Sequence, residues 1–172
     1  MEGFIKLSQK DLDRSDVLQW LKIDSVTAFK HYGISLDLRG KYQELHNHYS
    51  ILSTPFENLE EVLSAVENNI IVTHRDREST LLLLEKYNLR KYFKEIVSVE
   101  EDGFQRKPHR SSYEHVLKSY KIDLVIGDRE LDLAPARELH IKTVAFQNDN
   151  INADFHINHY SDFIPMVLKP LN

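Results

Sequence analysis

The residues best suited to chemistry lie where Leu124-Val125-Ile126 runs into Gly127-Asp128-Arg129-Glu130-Leu131-Asp132, an apolar run that stops at a glycine and is followed by two aspartates four positions apart. Short apolar runs of this kind form strands buried in parallel sheets, and ligands of open α/β sheets sit beyond the carboxyl ends of such strands. Two carboxylates there suit a hard cation such as Mg²⁺, which takes its oxygen ligands from aspartate, water and substrate phosphate. The same pair would also favour the positive end of a following helix. A second apolar run, Asn69-Ile70-Ile71-Val72, ends in the polar cluster Thr73-His74-Arg75-Asp76, and a third, Glu95-Ile96-Val97-Ser98-Val99, leads through a polar loop to Arg106-Lys107-Pro108. Taken singly, Thr73 suits a helix cap and Lys107 a solvated loop charge. Taken together, a hydroxyl donor, an ammonium and an acidic pair at successive strand ends can hold a phosphate-sized anion.

The elements that must position these groups alternate from about residue 57 onward. Phe56, Leu59, Val62, Leu63 and Val66 have the spacing of an amphipathic helix, 69–73 reads as a strand, and a second helix runs through Leu81 to Tyr87. Residues 95–99 read as a strand, Tyr113, Val116, Leu117 and Tyr120 as a helix, 123–127 as a strand, 131–139 as a helix and 141–146 as a strand. A short strand at 155–157 and a last helix around 163–168 complete the series. Such alternation predicts βαβ units, hence a Rossmann-like parallel sheet with helices on both faces. The first third differs. Ser15 suits the N-cap of a helix with the stripe Val17, Leu18, Leu21, Ala28, Phe29 and Tyr32, closed by Gly33, and a second helix covers 41–49. These two helices predict a small helical lid.

With 172 residues, 41% of them hydrophobic, and only 5 glycines and 5 prolines, the chain has the composition of one compact globular unit with a small appendage. Its net charge of −5 and the lack of a basic block give no electrostatic footprint for nucleic acid or anionic lipid. Without cysteine, disulfides, thiolate nucleophiles and cysteine zinc sites are excluded. The apolar runs are too short for a bilayer span and the first residues lack a signal-peptide layout, so a cytoplasmic location is expected. His46 and His48, two residues apart on a helix, would diverge rather than share a metal.

The order and spacing of the three clusters resemble the haloacid dehalogenase (HAD) superfamily, in particular its capped, phosphoglycolate phosphatase-like subfamily. Ile71-Val72-Thr73-His74-Arg75-Asp76 resembles the second family motif, Arg106-Lys107-Pro108 the third and Gly127-Asp128-Arg129-Glu130-Leu131-Asp132 the fourth, over residues 56 to about 168. The resemblance implies a Mg²⁺-dependent phosphatase of a small phosphorylated metabolite, working through an aspartyl-phosphate. It implies that Thr73 and Lys107 bind the phosphoryl group, that His74 and Arg75 contact substrate, and that Asp128 and Asp132 hold the metal.

The first motif is degenerate. Its nearest counterpart is Lys10-Asp11-Leu12-Asp13-Arg14-Ser15-Asp16, where the resemblance makes Asp11 the nucleophile, Asp13 the general acid and base, and both of them metal ligands. Lys6 and Lys10 are out of place in a doubly buried strand, where unpaired charge costs several kcal/mol as an order of magnitude. Arg14 stands where a glycine would let the backbone come close to a ligand. His140 stands where a glycine would close the fourth-motif helix. The expected organisation is a core of residues 1–15 and 56–172 with an abbreviated cap at 16–55, as a monomer or homodimer. The alternative function is a HAD core without turnover that binds a ligand or a protein partner.

Overall fold

The structure is a computed structural model that describes residues 1–23, 25–50 and 53–169. The chain divides into two compact units, Met1–Thr54 and Pro55–Asn172.

The first unit is helical: α1 (Glu2–Ser8), α2 (Arg14–Ile23), α3 (Ser25–His31), a 3₁₀ turn Leu36–Leu38 and α4 (Arg39–Ser50). Phe4, Val17, Ala28 and Phe29 have no solvent exposure and form its core with Ile34 and Tyr42. Phe4 meets Phe29, Tyr32 and Tyr42 edge to face, a geometry that adds about 0.5–1.5 kcal/mol per pair beyond burial. Residues 1–15, expected with the α/β core, lie in this unit, where α1 is a helix anchored by Phe4. The cap of α2 is Asp13 and not the expected Ser15: the Asp13 carboxylate accepts from Asp16 N at 2.9 Å and from Ser15 Oγ at 2.5 Å. The single long helix expected up to Gly33 is two, with residue 24 outside the described residues.

The second unit is α/β, with the order α5 (Leu59–Ala65), β1 (Asn69–Thr73), α6 (Arg77–Lys86), β2 (Phe93–Ser98), α7 (Ser111–Leu117), β3 (Leu124–Gly127), α8 (Glu130–Glu138), β4 (Lys142–Phe146), β5 (Phe155–Ile157) and a terminal helical turn Ile164–Leu168. All pairings are parallel, as the alternation predicts. Among the described residues the strands nevertheless form two sheets, β1–β2 and β3–β4–β5, where one was expected. Neighbouring side chains in β1 and β3 point to opposite faces. Ile71 packs with Leu63 and Leu84 on one face of β1, while Val72 packs with Tyr113 and Ala136 on the other. In β3, Leu124 and Ile126 pack with Val62 and Val167 on one face and Val125 joins Tyr113 and Ala136 on the other. Helices therefore cover both faces, and α5 reaches both sheets. No helix among the described residues is long and apolar enough to cross a membrane.

Candidate active site

The carboxyl ends of β1 and β3 bring together Thr73, His74, Lys107, Asp128, Arg129 and Asp132. Each arrives for a local reason. After Thr73 the chain turns through His74-Arg75 to Asp76, which caps α6 by accepting from Ser79 N at 2.8 Å. The Thr73 hydroxyl oxygen accepts from Arg75 N at 3.0 Å, so its proton remains for a ligand. The loop after β2 is tied to α6: Arg77 clamps Asp102 with both carboxylate oxygens at 2.7 Å, and Glu101 accepts from Arg77 N at 2.9 Å. This loop ends at Lys107, whose main-chain N–H donates to His74 Nε2 at 2.9 Å.

Lys107 is 8% exposed and its ammonium donates to Asp132 Oδ1 at 2.5 Å and to Val72 O at 3.1 Å. An ammonium has three protons, so one is left for a further acceptor. Burial lowers the Lys107 pKa and the Asp132 carboxylate opposes that shift. Asp132, 6% exposed, is held from both sides, because its Oδ2 accepts from Arg129 Nε at 3.2 Å. Tyr113 donates to the Asp132 main-chain oxygen at 2.8 Å, and burial pushes the phenol pKa up. Gly127 explains the close approach of α8: a Cβ there would lie 2.6 Å from Asp132 Cβ. Asp128 is exposed at the strand end, 3.9 Å from Arg129 Nε, and its main-chain oxygen accepts from Asn148 Nδ2 at 2.7 Å. Burial, with Lys107, Arg106 and Arg129 nearby, lowers the His74 pKa to about 4, so at neutral pH this imidazole is an uncharged acceptor. Burial likewise lowers the pKa of the neighbouring Arg75.

Of the residues singled out from sequence, Thr73, His74, Arg75, Lys107, Asp128 and Asp132 belong to this one unit. Asp11 and Asp13 belong to the helical unit, exposed in the turn between α1 and α2, with Asp13 engaged as a helix cap. Both Asp132 oxygens face cations, whereas the Asp128 carboxylate is exposed, with Arg129 Nε 3.9 Å away. Among the described residues no group of three or more histidine or carboxylate side chains is placed to hold a metal ion. Sequence reasoning passed over Arg129, which grips Asp132 across one helical turn. Its signal was a cation three residues before a buried acid.

The chain belongs to the haloacid dehalogenase-like hydrolase family, whose family model matches residues 2–146. Among solved structures it is similar to a hydrolase from Streptococcus pneumoniae TIGR4 at 27% identity and TM-score 0.58, covering 84% of this chain and 80% of the other. It is similar to the HAD-hydrolase YfnB of Bacillus subtilis bound to magnesium, at 18% identity and TM-score 0.67 over 97% and 78% of the two chains. It is also similar to a predicted phosphoglycolate phosphatase from Haemophilus somnus, at 16% identity and TM-score 0.63 over 98% and 72%. No curated protein matches the chain.

Proposed function

We propose that this HAD-like hydrolase acts on the phosphomonoester of a small metabolite, with Thr73 and Lys107 as its phosphate subsite. The observation that carries the reading is the buried Lys107 ammonium, fixed by Val72 O and Asp132 with a third proton to give, at the same end of β1 as the Thr73 hydroxyl. A positive charge held without solvent costs no reorganisation when negative charge builds on a phosphoryl group. His74 and Arg75 flank this subsite as substrate contacts. Asp128 would be the magnesium ligand on this unit, where the cation would supply further neutralisation of phosphoryl charge; Asp132 serves Lys107.

In this reading Asp11 is the nucleophile and Asp13 the acid and base, as the family resemblance implies. Hydrolysis of p-nitrophenyl phosphate with added Mg²⁺ tests turnover, and its loss in both Asp11→Asn and Asp13→Asn is the expected result. Activity that survives either substitution removes that residue from the mechanism.

A second reading is favoured by one observation, the Asp13 carboxylate engaged as the cap of α2. It holds that the chain binds a phosphate ester without cleaving it. Calorimetry with inorganic phosphate then shows binding that Lys107→Met abolishes, while no p-nitrophenol is released.

A further inference from the structure

We propose that the group esterified to the phosphate is an uncharged or cationic aromatic ring, and that it stacks on Phe56 at the rim of the site. The inference rests on the reading of Thr73 and Lys107 as a phosphate subsite and extends it to the rest of the substrate.

Three rings meet at the carboxyl end of β4. Phe146, its last residue, stacks on Tyr160 with centroids 4.6 Å apart and planes 23° apart. Phe56, in the segment leading into α5, meets Phe146 at 4.9 Å and 70° and Tyr160 at 5.9 Å and 59°. Register fixes where this cluster stands. Gly127 of β3 is level with Ala145 of β4, so Asp128 is level with Phe146, on strands about 4.8 Å apart. Phe146 packs with Val144, Ile126 and Val62 on the face covered by α5. Thr73 points to the α5 face as well, being two residues after Ile71, which packs with Leu63 of that helix. Burial raises the Tyr160 phenol pKa and the Asp128 charge raises it further, so ring and carboxylate are neighbours. Asn148, two residues beyond Phe146, donates to Asp128 O at 2.7 Å and ties the loop after β4 to the site.

Covering the core accounts for two of the rings and not for the third. Phe146 is 7% exposed and Tyr160 half-buried, whereas Phe56 is 53% exposed, more than any other large apolar side chain among the described residues. A ring left in water beside a polar site gains when a second ring covers it, both from the area removed from water and from the offset or edge contact of two quadrupoles.

The surroundings select the occupant. No lysine or arginine lies within three residues of Phe56, Phe146 or Tyr160 in the chain, whereas Glu57, Asp149 and Asp162 do. With Asp128 they disfavour a second anionic group on this flank, and the cations Lys107 and Arg129 are engaged with Asp132 on α8. A neutral ring meets no such penalty, and a cationic one is attracted both by the carboxylates and by the aromatic faces. One exposed side chain is too small a surface for a protein partner, which needs about 800 Å² on each side.

Calorimetry on the full chain with inorganic phosphate, phenylphosphonate and cyclohexylphosphonate tests the assignment. Neither organic ligand has an ester bond to cleave, and the two differ in flatness but not in carbon count. Phenylphosphonate is expected to bind about three- to tenfold more tightly than cyclohexylphosphonate in the parent and in Phe56→Trp. In Phe56→Leu, which keeps an apolar cover over Phe146, the ratio is expected to fall to about one. Equal affinities in the parent, or a preference that survives Phe56→Leu, overturn the proposal; with inorganic phosphate still bound, either result leaves the Thr73 and Lys107 subsite standing. Failure of all three ligands to bind the parent overturns both.

Discussion

The His74 imidazole accepts the main-chain N–H of Lys107 at 2.9 Å, so one side chain at the end of β1 fixes where the cation of a distant loop begins. The contact requires a neutral ring. Burial and the surrounding cations lower the His74 pKa to about 4, below the ordinary 6.5 that the unfolded chain retains. Between these values the unfolded state binds a proton that the folded state refuses, so the stabilisation is complete above about pH 6.5 and is lost as pH falls toward 4. His74→Gln keeps an acceptor and removes the titration. Urea denaturation at pH 5 and pH 7 should show a smaller pH dependence in the variant than in the parent, and equal slopes would contradict the assignment.

Lys107→Met leaves the buried Asp132 with Arg129 as its remaining cation. Breaking a buried pair from one side costs about 3–5 kcal/mol, and the surviving Arg129 contact at 3.2 Å places this loss near the lower end. The double variant Lys107→Met, Asp132→Leu removes both charges and should recover part of the stability, which a denaturant series on the three proteins reads directly.

Gly127→Ala would set a methyl 2.6 Å from Asp132 Cβ and 3.3 Å from Leu133 Cδ2. Either β3 or α8 must move, at a cost of about 1–3 kcal/mol. Because Asp132 moves with α8, the same variant should weaken binding of inorganic phosphate by displacing Lys107. Calorimetry that finds unchanged affinity in a folded Gly127→Ala protein would separate phosphate binding from the β3–α8 contact.

The two amino-terminal aspartates should differ in their effect on folding whatever their role in turnover. Asp13→Ala removes the cap of α2 and should cost about 1 kcal/mol, the usual value for a lost N-cap. Asp11→Asn alters an exposed side chain and should stay within about 0.5 kcal/mol. Thermal midpoints of the pair check this before any kinetic difference is interpreted.

The α/β unit was readable in the sequence because its strands are short apolar runs bounded by polar clusters, and each polar cluster sits at a strand end. Thr73, Lys107, Asp128 and Asp132 could be picked out for that reason, since strand ends fix position without knowledge of long-range packing. The division into two sheets was not readable: β1 and β3 have ordinary strand patterns, and nothing in such a pattern tells which neighbour will pair. The pairing of Asp132 with Lys107 was hidden likewise, because aspartate four residues after Asp128 looks the same as a metal ligand or as the counter-ion of a lysine 25 positions away. At the amino terminus, spacing pointed to Asp13 as an acid/base and local capping chemistry to a helix start. The structure shows the cap. His140, flagged as standing in a glycine's place, adopts a φ of 59° after α8, the left-handed conformation that glycine takes without steric cost.

The adjacent residues Val62 and Leu63 lie about 100° apart around α5, and each is locked into the packing of a different sheet. The two halves of the domain thus share a single axle. Rotation of that helix cannot loosen one half while sparing the other, and any ligand that tightens the strand ends of one should be felt, through one turn of helix, in the amide protection of the other.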